Sequence, residues 1–525
     1  MQTTCVRHTA LPHTSMLFAD FSYGFDRVAR YYAYSPHSEE SFRRAAAQID
    51  YPAKRRAALV SLLREQNGES AALDRLSRPD TLAVVTGQQA GLFAGPCYTI
   101  YKALTAIRLA RRLTETGIPA VPVFWLATED HDFAEVNHVW VFDARLRPVR
   151  LEIPGSDAAM QPVGTIRIET SPVAALREAL AGFPFGAETA EVAGRAYAPG
   201  ETFGTAFAKL LRQVLDGQEL LYLDPMAAGA RELAAPLLRD AALAAPELSE
   251  RIFERDRDLA AAGYHAQVHF EERTSLFFLL ENGQRVPLSR RGREYTAGSR
   301  RFSTEELAGR AAELSPNALL RPVAQDYMLP TVAHVGGPAE IAYLAQSRVL
   351  YDTLLGRAPV EVHRQSATLI DARAAKLMDR YGLEFADVLR GQEWLAGRIA
   401  AHLVPREIEE AFNGAKTVSA AAFDELAHTL ASFDPTLVNA FATSRRKIAY
   451  QLSKIERKAA REALRRDQNA ADGAAYLDNL IYPQKHLQER FYSILPFIAR
   501  YGPALIARLV EEIDLDSPDH RLIVV

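Results

Sequence analysis

The chain has 525 residues, 48% of them hydrophobic, with a formal charge of −4 and an isoelectric point near 6.4. That length supports a large core and two or more domains, while the near-neutral charge gives no global field for nucleic acid and no apolar run reaches the length of a membrane span. Two cysteines, Cys5 and Cys97, are too few for a disulfide scaffold, and without a signal-peptide pattern the expected location is the cytoplasm.

Residues 21–80 read as helical packing, stopped by Pro52 and Pro79. A β-branched run at 82–85 predicts the first core strand. Tyr98, Tyr101, Leu104, Ile107, Leu109 and Leu113 then recur at three- and four-residue steps, the period of a long amphipathic helix. Between them lies Thr86-Gly87-Gln88-Gln89-Ala90-Gly91-Leu92-Phe93-Ala94-Gly95-Pro96. Gly87, Gly91 and Gly95 permit positive φ or close approach of a ligand, and Pro96 suits a first helical turn, so the helix start is expected to offer free N–H groups to an anion. A phosphate or carboxylate there gains about 0.3 to 1 kcal/mol from the helix end. The plain alternative is a tight connection. Gln88 and Gln89 are useful amide donors and acceptors, or braces of the turn; Lys102 adds charge, or sits on the helix surface. Cys97, Tyr98 and Tyr101 read first as packing.

The next strand, 120–126, ends in Thr128-Glu129-Asp130-His131-Asp132-Phe133, with Asn137 and His138 just downstream. Adjacent carboxylates are costly to bury, and such clusters belong where they face solvent, a metal or a substrate with exchangeable protons. A metal is disfavoured, because Asp-His-Asp on one strand end points alternate side chains apart and no helical His-Glu-x-x-His is present. A solvated acidic turn is the competing reading.

Farther on, 149–153 and 163–168 alternate as a strand pair around a turn. Helices are expected at about 201–216 and 230–262, bracketing a strand at 220–223, with Asp224 either an acid at a strand end or a helix cap. Segments 275–280 and 284–288 form a hairpin around Asn282-Gly283, and the basic turn Arg290-Arg291-Gly292-Arg293 faces solvent or a phosphate. A third loop, 329–343, repeats the first: a short strand, Gly336 and Gly337, then a helix opened by Pro338 with Glu340 in its first turn. Two helix starts and one carboxylate cluster suit the crevice beyond the carboxyl edge of a parallel sheet. From about 367 the helices are long and poor in glycine; Leu437, Phe441, Ile448, Leu452, Ile455 and Ala459 form a stripe that needs a partner, from 369–412 or from a second subunit. The basic residues on the other faces, Arg445 to Arg461, read as a solvated surface rather than a nucleic-acid site, since no aromatics interleave.

These three loops, with Ser315-Pro316-Asn317-Ala318-Leu319-Leu320-Arg321-Pro322-Val323-Ala324-Gln325-Asp326 and Tyr482-Pro483-Gln484-Lys485-His486-Leu487-Gln488-Glu489-Arg490, resemble the bacillithiol biosynthesis cysteine-adding enzymes, BshC, from about Phe21 to the C-terminus. The resemblance implies an α/β fold: a Rossmann-like parallel-sheet core over 1–366, similar to class I aminoacyl-tRNA synthetase nucleotidylyl transferases, with inserts at about 144–200 and 275–312, and a helical coiled-coil domain over 367–525 that supports homodimers. It also implies a ligase that joins L-cysteine to the amine of glucosaminyl malate. Against the family pattern, Cys97 stands where leucine is common, Thr128 where a small residue precedes Glu-Asp-His-Asp, and Ala339 where glycine is frequent. The two signature strings of class I synthetases are absent: Gln88 to Gly91 occupies the first place and Arg364-Gln365-Ser366 the second, so adenylate formation does not carry over by motif.

A carboxylate is a poor acyl electrophile, so amide formation requires a leaving group, usually an acyl adenylate or acyl phosphate. ATP is therefore expected, with or without Mg²⁺, and no tightly bound cofactor. The protein must hold the phosphates, align the acyl group and keep the attacking amine unprotonated. The candidate catalytic residues are Gln88, Asp130, His131 and Asp132, with His131 or Asp132 accepting the amine proton, a role worth about 10² to 10⁴ in rate. The candidate substrate and nucleotide residues are Gly87, Gln89, Gly91, Gly95, Glu129, Asn137, Gly336, Gly337, Glu340, Arg364 and Ser366. Competing functions are a nucleotidyltransferase acting on another small acid and a helical scaffold that binds a nucleotide without chemistry.

Overall fold

Five parallel strands organise the first part of the chain in the computed structural model, which describes residues 3–155 and 160–525. They are β1 (Leu82–Gln89), β2 (Ala120–Ala127), β3 (Leu221–Leu223), β4 (Thr331–Gly336) and β5 (Val360–His363), in the spatial order β5-β4-β1-β2-β3. Most residues of β1 and β2 are buried on both faces, which is why these strands are continuous apolar runs rather than alternating ones. Leu82 and Val84 face helix α1 (Tyr98–Glu115) through Leu109 and Leu113, while Ala83 and Val85 join the core on the other side with Leu344 and Leu350 of helix α2 (Pro338–Leu354). Helices thus cover both faces of the sheet. From β1 the chain runs outward to β2 and β3, then returns to place β4 and β5 on the opposite side of β1. The order reverses between β1 and β4, the point at which open α/β sheets leave a crevice beyond their strand ends.

The first loop is shorter than the sequence suggests. β1 continues through Gly87, Gln88 and Gln89, paired in register with Trp125, Leu126 and Ala127 of β2. Position 87 must be glycine, because a Cβ there would lie 2.6 Å from the Trp125 carbonyl oxygen. The turn proper is made by Phe93, Ala94 and Gly95, with φ of 48°, 69° and 65°. Two non-glycine residues in left-handed conformation are held by packing: the Ser493 hydroxyl donates to the Phe93 carbonyl at 3.0 Å, and the Tyr197 hydroxyl to the Gly91 carbonyl at 2.5 Å.

The helices at Phe203–Val214 and Ala228–Ala261 and the hairpin Thr274–Glu281/Gln284–Arg291 match expectation, with Asn282 and Gly283 both at positive φ, 53° and 75°, as a tight hairpin turn requires. Asp224 braces its turn, taking hydrogen bonds from Thr128 Oγ1 and the Met226 N–H. The expected pairing of 149–153 with 163–168 does not occur. Strand Pro148–Glu152 pairs antiparallel with His138–Phe142, whose apolar face it helps to bury, and Val163–Thr165 is a single 3-10 turn. Part of the turn expected between them, 156–159, lies outside the described residues.

By contacts the chain forms two units, one running to Thr368 and including Glu489–Ile523, the other made of Leu369–Gln488 and Val524–Val525. Residues 489–523, within the 367–525 expected for the helical domain, group by contacts with the first unit. That segment belongs to the first unit because its aromatic residues complete a cluster there: Phe491 stacks on Trp140 at 4.8 Å and Phe497 meets Phe142 edge-on at 5.0 Å. In the second unit, α3 (Arg406–Phe433) and α4 (Thr436–Arg466) form a hairpin of long helices, with ion pairs Lys416–Glu456 and Arg445–Asp424 and the ring pair Phe423–Phe441. α4 packs against α3 and also against the helix Gln392–His402, which lies within the 369–412 expected to partner it. No residue of α3 or α4 is fully buried.

Candidate active site

A cavity of about 630 Å³ opens at the carboxyl ends of β1, β2 and β4. Gly87, Gln88 and Gln89 come to it from the end of β1, Glu129, Asp130 and His131 from the turn after β2, and Gly337 to Glu340 from the start of α2. Three segments remote in sequence therefore converge, as parallel strands that end at one edge oblige them to.

On the β2 side, Glu129 is buried and committed. It pairs with Arg231 and accepts from Ser315 Oγ at 3.2 Å; burial nevertheless raises its carboxyl above the ordinary range, against the pull of Arg231 and Arg285. Asp130 is the more exposed carboxylate, 32% against 8% for Glu129. Burial pushes its affinity for a proton up, but Gln89 Nε2 at 2.6 Å, the Arg285 charge and the His131 N–H at 2.7 Å outweigh this and hold it below the usual range. His131 is shifted down by burial and then by Arg285, with Asp130 and Asp132 opposing, so its imidazole is neutral at pH 7.

The opposite wall is cationic. Lys102 is buried, donates to the Gly87 carbonyl and to Gln88 Oε1, both at 2.9 Å, and pairs with Glu340. Burial alone would raise the Glu340 carboxyl, but Lys102, His334 and the Gly337 N–H keep it ionised. Arg364 is fixed by a two-point pair with Glu489. Arg321 donates to Gln325 Oε1 at 3.1 Å and to the Tyr343 hydroxyl at 2.9 Å. Among the described residues, neither Arg321 nor Arg490 has a carboxylate partner. Both guanidiniums line the cavity.

This geometry corrects part of the sequence-based set. One N–H at each helix start is already used: Cys97 N–H donates to the Tyr492 carbonyl at 2.8 Å and Gly337 N–H to Glu340 at 2.8 Å, while Pro96 precedes the helix rather than opening it. Glu340 itself fills the anion position at the start of α2. Gly91 and Gly95 lie in the turn behind the cavity, Gly336 is inside β4, and none of the three lines it. Asp132 caps the short helix Phe133–Val136 through the Glu135 N–H at 3.3 Å and also stands outside the lining. Asn137 is buried, tying its amide to the Ile153 carbonyl at 3.0 Å. Ser366 is buried between Glu489, at 2.9 Å, and His520, at 2.7 Å. Gly87, Gln88, Gln89, Glu129, Asp130, His131, Gly337, Glu340 and Arg364 remain at the cavity.

The chain matches two family models, the bacillithiol biosynthesis BshC N-terminal Rossmann-like domain over residues 1–365 and the BshC C-terminal coiled-coil domain over residues 367–525. The chain belongs to the BshC family. Among relatives, it is 54% identical to a protein of Solibacter usitatus over 100% of both chains and 36% identical to one of Koribacter versatilis over 99% of each. A Salinibacter ruber protein is 32% identical over 97% of this chain and 96% of its own. All three bear the name "Putative cysteine ligase BshC".

Within this family member, sequence reasoning did not single out Arg285, Arg321, Arg490 or Tyr343 as site residues, although all line the cavity. Arg321 and Arg490 do lie inside the strings that carry the family resemblance. Arg285 had no such signal, since a hairpin strand reveals nothing about the sheet end it covers. No helix among the described residues is long and apolar enough to cross a membrane, and no group of three or more His, Cys, Asp or Glu among them is placed to hold a metal ion.

Proposed function

We propose that this chain is the cysteine ligase of bacillithiol biosynthesis, forming an amide between the carboxyl group of L-cysteine and the amine of glucosaminyl malate in the cytoplasm. The observation that carries this reading is the polarity of one cavity, with a partly exposed carboxylate, Asp130, on one wall and, on the other, two guanidiniums, Arg321 and Arg490, that have no carboxylate partner among the described residues. The names of the full-length relatives support the same assignment.

The chemistry follows from that polarity. Asp130 suits the ammonium group of cysteine, leaving its carboxyl turned toward the cationic wall. Arg321 and Arg490 suit anionic groups: the malate carboxylates and the phosphates of ATP, which supplies the leaving group that a free carboxylate lacks. Lys102 and Gln88 form a rigid link from β1 to α2 that keeps the wall in place. Neutral His131 stands beside the reacting groups as a hydrogen-bonding ring.

The working unit is a homodimer, a proposal supported by apolar side chains that the α3–α4 hairpin leaves exposed, among them Val418 at 70%, Ile448 at 42% and Ile455 at 52%. Purified protein incubated with cysteine, glucosaminyl malate and ATP, with and without Mg²⁺, and analysed by mass spectrometry tests the activity. Cysteinyl product with release of AMP or ADP supports the ligase and identifies the activation route. Absence of product across nucleotide and metal conditions removes it.

A further inference from the structure

Arg285 and His131 reach the same cavity wall from different parts of the fold, Arg285 from the hairpin strand Gln284–Arg291 and His131 from the turn after β2. Arg285 Nη1 lies 3.1 Å from His131 Nδ1. A guanidinium carries only donors, so Nδ1 of a neutral ring must accept and the ring proton must sit on Nε2. A rival is close by. Asp130 Oδ1 is 3.7 Å from the same nitrogen, and a carboxylate in that place ordinarily draws an N–H toward itself and leaves the far nitrogen as a base.

Three features decide for Arg285. Its other nitrogens are engaged, Nε with Ser315 Oγ at 3.0 Å and Nη2 with the Pro316 carbonyl at 2.9 Å, and its plane rests on the Phe278 ring at 3.9 Å, so its position is fixed. Asp130 is occupied with Gln89 Nε2 and the His131 backbone N–H. Arg285 Nη1 also lies 3.6 Å from Asp130 Oδ1, so the carboxylate faces the guanidinium charge as closely as it faces the ring nitrogen. Nε2 has no protein partner among the described residues, and the ring is 26% exposed.

We infer that Arg285 is a positioning residue that holds His131 as the neutral Nε2–H tautomer, making the imidazole a hydrogen-bond donor rather than the acceptor of the amine proton. The tautomer rests on geometry alone. The donor's target, an oxygen of the bound substrate, rests on the ligase reading. In that role the ring stabilises charge without itself changing protonation.

Long-range proton–nitrogen correlation spectra of the full chain labelled with ¹⁵N-histidine test the assignment at neutral pH, with His131→Gln identifying the ring by its disappearance. The expected spectrum shows a protonated Nε2 and a bare Nδ1. Arg285→Met should move the proton to Nδ1, toward Asp130, and Arg285→Lys should keep it on Nε2. A wild-type ring protonated at Nδ1, averaged between tautomers or doubly protonated overturns the inference without recourse to any variant. An Nε2–H ring in a protein that makes no cysteinyl product overturns the ligase reading and leaves the tautomer assignment standing.

Discussion

Arg364 donates two hydrogen bonds to Glu489, Nη1 to Oε2 at 2.9 Å and Nη2 to Oε1 at 2.7 Å, with both side chains 2% exposed. Glu489 also accepts from Ser366 Oγ and from the Ala367 N–H, so its carboxylate is saturated. The pair fastens the segment that begins at Glu489 to the cavity wall that Arg364 helps to form. Removing one member leaves the other charged and buried. Glu489→Ala is therefore expected to cost about 3 to 5 kcal/mol in urea denaturation. The pH dependence has a definite sign: Arg364 overcomes burial and holds Glu489 at about 2, below its ordinary value of 4.5. Its contribution is complete above pH 4.5 and is lost as pH falls toward 2. The stability gap between wild type and Glu489→Gln should narrow across that acid window.

Glu361 presents the opposite case. It is 1% exposed in β5, its Oε2 has no hydrogen-bond partner among the described residues, and burial raises it from 4.5 to about 8. The folded state thus keeps a proton that the unfolded chain releases, and stability should fall as pH rises from 4.5 to 8. Glu361→Gln removes that slope. At the alkaline end it should stabilise the protein by about 1 to 3 kcal/mol, read as a higher urea midpoint. A variant with an unchanged slope would exclude Glu361 as its source.

Gln88→Ala, Asp130→Asn and His131→Ala each change a polar side chain at the cavity. Each should lower ligase turnover while leaving thermal stability within about 1 kcal/mol, as is usual for polar changes away from the packed core. For Asp130→Asn and His131→Ala the loss should be about 10²-fold or more. Unfolding of all three would assign them structural roles instead.

Arg321→Met and Arg490→Met remove guanidiniums that have no carboxylate partner among the described residues. A charged hydrogen bond to an anionic substrate is worth about 1.5 to 3 kcal/mol, so KM for glucosaminyl malate or ATP should rise about 10- to 100-fold. Titrating the two substrates separately shows which anion each arginine meets. Unchanged KM for both would remove these residues from substrate binding.

Ile448 and Ile455 are 42% and 52% exposed on α4. If they lie in the dimer interface, Ile448→Glu with Ile455→Glu should halve the mass measured by light scattering, because charges there would be buried without partners. A wild-type mass of one chain would remove the dimer proposal.

Much of the core was legible in local sequence. A β-branched run followed by a 3.6-residue apolar period specifies a strand and a helix wherever the chain goes next, and β1 with α1, the helix Ala228–Ala261 and the Asn282-Gly283 hairpin all formed as that rule requires. Parallel strands with helices between them also oblige the ends of β1, β2 and β4 to share one edge, so Gln88, Asp130, His131 and Gly337 could be gathered before their positions were known. What remained hidden depended on partners far along the chain. Whether a helix start can bind an anion depends on what already takes its N–H groups, and here Tyr492 and Glu340 each take one. The partner of Pro148–Glu152 was selected by burial against His138–Phe142, which alternation alone does not encode. The proton on His131 is directed by Arg285, from 154 residues away. Secondary structure is a short-range property of the backbone and its nearest side chains, whereas the charge, tautomer and freedom of a site residue are set by whatever the completed fold presses against it.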